Sequence, residues 1–421
     1  MKTRSPFNNI LVDFSSLNMT KTSISQPMMK ADKISFEDMS IAFSDKSDLQ
    51  LKKMYLIFAS MNQNWLVKLG TFFIKLFIFL HFPIKKLIKS TVFEQFCGGE
   101  TLQECNKAIE NLDKAKIGTI LDYSVEGEDS ESSFELTKEE ILKTIEKAQN
   151  NSAIPFAVFK VTGISSTELL EKVQSEVPLT AEESSAFERV HQRMFDLCSR
   201  ASELHVRIFV DAEESWIQDA IDALTYDMMA RFNKQECIVY NTFQMYRKDM
   251  LENLKGATDT AREKGYLLGV KLVRGAYMEK ERQRAHEGNY CEPVHETKEN
   301  TDKDFNLAVE YAVTNRDAIS ICVGTHNEYS CKYLAQLMEK NGIDAKDKHF
   351  YFAQLLGMSD NISYNLAHAG YNVAKYVPYG PVEAVMPYLF RRAAENTSVA
   401  GQASREFTLI KKEMVRRQKR K

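Results

Sequence analysis

From Ile117 to Val377 the chain keeps one rhythm, a short apolar run followed by a longer stretch with helical periodicity. The runs are Ile117–Leu121, Phe156–Lys160, Val206–Val210, Cys237–Tyr240, Leu268–Val273, Ile319–Val323, His349–Phe352 and Asn372–Val377. Between them, Thr137-Lys-Glu-Glu140, Ser165-Ser-Thr-Glu168 and Ser215-Trp-Ile-Gln218 each place a hydroxyl three residues before Glu or Gln. That is the capping-box pattern of a helix start. After the last run Pro378 and Gly380 break the strand, and Pro381 opens a helix at its first position. Eight strands, each followed by a helix, predict an α/β fold: a distorted (β/α)8 TIM-like barrel. A doubly wound sheet would want Gly-x-Gly-x-x-Gly after its first strand, and none occurs.

Upstream the texture is helical. Residues 35–64 predict helix interrupted by the cluster Ser44-Asp-Lys-Ser-Asp48. Trp65–Phe82 is the most apolar segment, but it falls short of the ~20 uncharged residues of a spanning helix and carries Lys68 and Lys75. It reads as a buried or interfacial helix, with core packing the plainer of the two. Thr101-Leu-Gln-Glu104 is a further capping box, opening a helix to about Asp113. The organisation expected is a flexible extension over 1–35, an N-terminal helical arm over 36–115, the barrel over 116–410 and a basic tail over 411–421. The first 34 residues are rich in Ser, Met and Lys and poor in acids. They fit a mitochondrial presequence or a plain disordered extension, not a secretory signal.

Composition narrows the function without naming it. At 421 residues, 44% hydrophobic and 27% charged, the chain reads as an ordinary globular protein. A net charge of -3 gives no general attraction to nucleic acid. The seven cysteines include no Cys-x-x-Cys, which argues for a reducing compartment and against a zinc site. No metal is expected either from His286 and His295, which lack a third ligand in rhythm.

A barrel builds its active face at the carboxyl ends of its strands. Those ends read Asp122, Lys160, Asp211, Asn241, Arg274, Thr325 with His326, Gln354 and Tyr376. Lys271 lies inside an apolar strand, where a cation needs a partner or a ligand. Arg391 and Arg392 are adjacent in the helix after the last strand, with Glu395 one turn past Arg391 on the same face. A forked guanidinium pair near the aromatic Tyr376 is suited to gripping a small carboxylate. The site is therefore cationic and apolar, and suits a phosphate-bearing organic cofactor that does the chemistry.

The segments Phe156–Lys160, Asp211-Ala-Glu-Glu214, Gly269–Tyr277, Thr325–Asn327, Tyr351–Met358 and Lys375–Val382, with Arg391-Arg392, resemble the proline dehydrogenase family from Trp65 to Leu409 in order. The resemblance implies FAD bound at the strand ends and oxidation of L-proline to Δ1-pyrroline-5-carboxylate. Electrons would pass to a membrane quinone, and a pyrroline-5-carboxylate dehydrogenase would act downstream. It implies that Arg391 and Arg392 hold the proline carboxylate, oriented by Glu395, while Tyr376 packs on the ring. Lys160 would sit beside flavin and substrate, and Tyr277 and Ile362 would line the pocket. Lys271 would face the flavin centre. Asp211, Asn241 (with Gln244 as a nearby competitor) and Gln354 would contact the ring system, and Arg274, Thr325 and His326 the rest of FAD. Peripheral contact with a bacterial inner membrane is implied, or with the mitochondrial inner membrane in a eukaryotic host. Two other classes stay open on the residues alone: a Schiff-base aldolase using Lys160 or Lys271, and a membrane-docking adaptor using the apolar helix and basic tail.

Overall fold

The computed structural model describes residue 31, 34–61, 65, 69–70, 72, 85–125, 129–398 and 402–420, without side chains at 394–398 and 402–404. Eight parallel strands close on themselves in sequence order: β1 Ile117–Tyr123, β2 Phe156–Lys160, β3 Arg207–Asp211, β4 Val239–Gln244, β5 Leu268–Val273, β6 Ile319–Gly324, β7 Phe350–Leu355 and β8 Val373–Tyr379. β8 pairs with β1 over seven residues, Ile117 to Tyr123 against Val373 to Tyr379, and seals the barrel. β2 and β5 begin and end where the apolar runs do. Most other strands run on past them into polar residues, as at Asn241–Gln244, because the hydrogen-bonded ladder continues where hydrophobicity stops.

Alternation along each strand divides the side chains between two cores. Ile120, Phe156, Val158, Phe209, Tyr240, Cys322, Ala353, Ala374 and Tyr376 fill the barrel interior. At the alternate strand positions Leu121, Ala157, Phe159, Val210, Val239, Phe243, Val323, Phe352 and Val377 face outward onto the helices.

Helix starts are shifted from the predicted ones. The cap of helix Glu131–Ala148 is Ser130, seven residues before Thr137, which lies inside the helix. Ser166, not Ser165, caps Thr167–Gln174. Glu214 precedes Ser215–Phe232, and Gln218 there accepts from the Glu213 amide instead of closing a box. Thr101–Cys105 forms turns, and the helix runs from Asn106 to Lys114. The interruption at Ser44–Asp48 separates helices Met39–Ala42 and Asp48–Met61.

The arm does not stand apart from the barrel helices. Phe43, Leu51, Met54, Phe58, Phe93 and Phe96 share one core with Val385, Met386 and Leu389 of helix Val382–Ser398 and with Leu409 and Ile410 of the terminal helix Gln402–Gln418. The basic tail expected over 411–421 is therefore mostly docked helix. Glu413 is fully buried and accepts from Arg416 Nε at 2.6 Å and Arg417 Nε at 2.7 Å. Arg417 also donates to the carbonyls of Phe43 and Lys46, both at 2.8 Å. Glu413→Ala strands those guanidinium groups and costs about 1–3 kcal/mol. Limited proteolysis should then cut faster at Lys411-Lys412, and an unchanged cleavage rate would contradict the docking role.

Of Trp65–Phe82, only Trp65, Leu69, Gly70 and Phe72 are among the described residues. Trp65, Leu69 and Phe72 are exposed, so core packing does not describe them. Among the described residues no helix is long and apolar enough to cross a membrane.

Candidate active site

Five strands send charged or phenolic side chains into the barrel mouth. Lys271, central on β5 and buried, reaches Asp211 Oδ1 on β3 at 2.5 Å and donates to the Tyr376 hydroxyl on β8 at 2.7 Å. Tyr376 in turn donates to Asp211 Oδ1 at 2.8 Å, closing a triangle of cation, anion and phenol. The Lys271 ammonium also stands 4.3 Å from the centre of the Tyr376 ring. Lys160, paired in register with Asp211, lies 3.8 Å from its second oxygen and 3.9 Å from Asp122 of β1.

Burial drives the Asp211 carboxyl up, but the charges of Lys271 and then Lys160 outweigh it and hold the group below the usual carboxylate range. Burial, reinforced by the Asp211 charge, keeps the Tyr376 phenol protonated and able to donate. These groups form a desolvated, mutually satisfied cluster in which two cations face two carboxylates.

Beyond β5 and β6 a second group forms. Arg274 donates to Asp302 at 2.7 Å, Thr325 at 2.6 Å and Ser330 at 3.1 Å, with its guanidinium 4.3 Å from the Phe305 ring centre. Thr325 also accepts from the Asn327 amide, at the cap of helix Glu328–Lys340. Between them Gly275 has φ 129°, and an added Cβ would fall 2.5 Å from the Tyr246 ring. His326 pairs with Ser359 Oγ at 2.9 Å. Burial, then the charges of Lys375, Arg392 and Arg274, push this imidazole down to about 3, so it is neutral near pH 7.

The arginine helix Val382–Ser398 follows β8 directly. Arg392 is buried, with its guanidinium 5.1 Å from the Tyr388 ring centre, and Arg391 is half-buried. The Glu395 side chain lies outside the described residues. Tyr277 is half-buried at the head of helix Met278–Gly288, with Lys280 5.5 Å from its ring centre.

Three residues read as site members fall elsewhere. Asn241 is on the outward parity of β4 and donates to Asp222 of helix Ser215–Phe232 at 2.8 Å. Gln244 has the inward parity and takes the place at the mouth, donating to the Glu213 carbonyl at 2.6 Å. Gln354 is likewise outward, tied to the Thr325 carbonyl at 3.1 Å and to Ser363 at 2.8 Å. Ile362 is packed in the core between barrel and helices. Glu213, inside the segment Asp211-Ala-Glu-Glu214, is buried at the mouth without having been expected among the site residues. Its signal was a carboxylate two residues past the end of a buried strand.

The chain thus carries a closed parallel barrel with cations, carboxylates and a phenol in its mouth, followed after β8 by a helix bearing adjacent arginines. Residues 105–405 match the proline dehydrogenase family. A carbapenem antibiotic biosynthesis protein, CarD, of Pectobacterium carotovorum is 37% identical over 78% of this chain and 85% of its own length. Mitochondrial proline dehydrogenase 1 of Dictyostelium discoideum is 33% identical over 90% of the chain and 74% of its length. Its human counterpart is 42% identical over 56% of the chain and 40% of its length. Proline utilization A (PutA) of Bdellovibrio bacteriovorus, solved after inactivation by N-propargylglycine, shares the fold at TM-score 0.68 and 20% identity. The match covers 90% of this chain and 40% of that one.

The chain belongs to the proline dehydrogenase family. That makes it an oxidoreductase of proline metabolism, acting at the first step of proline catabolism. The aldolase and adaptor readings fall with this assignment.

Proposed function

We propose that this chain oxidises L-proline to Δ1-pyrroline-5-carboxylate with FAD as the bound cofactor and a membrane quinone as the final acceptor. The observation that carries the reading is the Lys271–Asp211–Tyr376 triangle with Lys160 at its edge, set in the mouth of a family barrel. The donor set fits a flavin dinucleotide. The inward residues Cys322, Ala353 and Ala374 are small beneath the mouth, Lys271 and Gln244 offer donors to a ring, and Arg274, Thr325 and the head of helix Glu328–Lys340 suit an anionic bridge. FAD, when bound, supplies the acceptor for the hydride.

The chain's own groups do the positioning. Arg391 and Arg392 hold the substrate carboxylate by charge-assisted bonds, with Glu395 orienting them one turn on. Tyr376 and Tyr277 wall the ring, and Lys160 fixes the amine side. The amine must be neutral to release hydride, and the cations around it favour that form. The bulk of Tyr376 leaves little room for a ring hydroxyl, so proline should be preferred to hydroxyproline.

Proline-dependent reduction of a dye by the flavin-loaded protein tests the reading. No reduction with proline, or purification without flavin absorbance, overturns it. Because a relative works in antibiotic biosynthesis, ring homologues of proline belong in the same assay.

Electron delivery to a quinone calls for peripheral membrane contact, at the bacterial inner membrane or the mitochondrial one. The exposed Trp65, Leu69 and Phe72 support it more directly than the tail, since Arg416 and Arg417 are engaged with Glu413. Binding to anionic liposomes should therefore survive high salt better than a purely basic tail would allow. A pyrroline-5-carboxylate dehydrogenase would take the product.

A further inference from the structure

Glu213 is 3% exposed, yet it is bonded to the exits of two neighbouring strands and to the helix after its own. Its carboxylate accepts from the Thr162 amide at 3.0 Å, and the Thr162 hydroxyl donates to its other oxygen. Thr162 is the middle of the turn Val161–Gly163, whose cap is Lys160. The Glu213 carbonyl accepts from Gln244 of β4 at 2.6 Å. Its amide donates to Gln218 at 2.7 Å, and Gln218 passes the chain on to Asp222 at 2.7 Å. The turn that aims Lys160 and the amide of Gln244 are thus both referred to a residue two positions beyond Asp211.

We infer that Glu213 is a positioning residue for the proposed proline oxidation, gripping the Thr162 turn so that the Lys160 ammonium stays between Asp122 and Asp211. This rests on the function proposed above. A short side chain that meets both the amide and the hydroxyl of one residue fixes that turn in direction as well as distance. Lys160 is long and flexible, and its ammonium lies 3.8 Å from Asp211 and 3.9 Å from Asp122. Its backbone ends the β2–β3 ladder opposite Asp211, and the Thr162 turn sets how the chain leaves that point.

Charge enters through the same residue. Burial pushes the Glu213 carboxyl up to about 7, against the pull of the Thr162 bonds and of the Lys160 charge, with Glu214 adding to the rise. The groups acting on the carboxyl are Thr162 and Lys160 from β2 and its turn, while Gln218 of the following helix and Gln244 of β4 bond its backbone. On its own loop are Asp211 and Glu214, the latter 2.5 Å from Lys280 of helix Met278–Gly288. Around neutrality the mouth accordingly gains a negative charge beside Lys160.

The variants that test this are Glu213→Gln, Thr162→Val and the double. Each single variant should raise KM for proline about tenfold with a smaller change in kcat, since a misplaced anchor weakens binding geometry before chemistry. The double should be no worse than the worse single, because both alter the same hydroxyl–carboxylate contact. The neutral-range inflection in log kcat/KM should disappear in Glu213→Gln. A second readout needs no activity. A carboxyl whose folded pKa is raised contributes stability that is present below its unfolded pKa and is lost as pH rises through about 7. The wild type should therefore lose melting temperature relative to Glu213→Gln between pH 5 and pH 8.

Unchanged KM and pH profile in the singles, or strictly additive effects in the double, overturn the inference. If the wild type does not oxidise proline, the proposed function fails on its own. The pH-dependent melting difference and its coupling to Thr162→Val still decide whether the grip exists.

Discussion

Replacing Arg391 by methionine should raise the apparent KM for L-proline by about two orders of magnitude or more, because each charge-assisted bond to a carboxylate is worth about 1.5–3 kcal/mol and the guanidinium offers a fork of two. Methionine keeps the length and apolar stem, so the loss is one of charge and fork. The neighbouring Arg392 is buried, with its guanidinium 5.1 Å from the centre of the Tyr388 ring. The helix that carries both starts directly after β8, the strand of Tyr376, so the proposed carboxylate grip and ring contact would share one connection. Arg391→Lys should fall in between, retaining the charge and losing the planar fork. Steady-state kinetics with proline as the varied substrate measures this, and near-normal saturation of Arg391→Met removes the clamp from the mechanism.

The barrel was legible because its strands are continuous apolar runs, and β2 and β5 could be bounded to the residue. Site membership was harder to read, for a reason set by closure. At a strand end a polar side chain points into the mouth or out toward a helix according to parity, and parity depends on barrel register rather than on residue type. Asp211 and Lys160 carry the inward parity; Asn241 and Gln354 carry the outward one and serve the helix layer instead. The apolar residues flanking them held the answer. Phe243 and Val239 are core-forming at the parity of Asn241, whereas Tyr240 fills the barrel at the parity of Gln244. Helix starts were misplaced where several hydroxyls compete, as at Ser130 and Thr137, because only the one with extended backbone geometry can cap.

Asp211→Asn is expected to be the most destabilising single change in the mouth, by about 3–5 kcal/mol, since it leaves a buried ammonium without its anion. Lys271 is 6% exposed, and its partners are Asp211 at 2.5 Å and a phenol at 2.7 Å. An asparagine returns a dipole where a full charge stood, and Lys160 loses the same partner. Lys271→Met should be harmful for the mirror reason, and the double variant should recover much of the loss because no lone charge remains buried. The sign of the pH dependence follows from the depressed Asp211 carboxyl. Its contribution is present above the unfolded value near ~3.9 and is lost as pH falls through the lower folded one. Urea unfolding should therefore show the gap between wild type and Asp211→Asn wide at pH 7 and narrowing below pH 4. A gap that is small at pH 7, or that does not shrink in acid, would mean the triangle contributes geometry without net stability. In that case Lys271 would have been kept in the barrel for what it does to a bound ring.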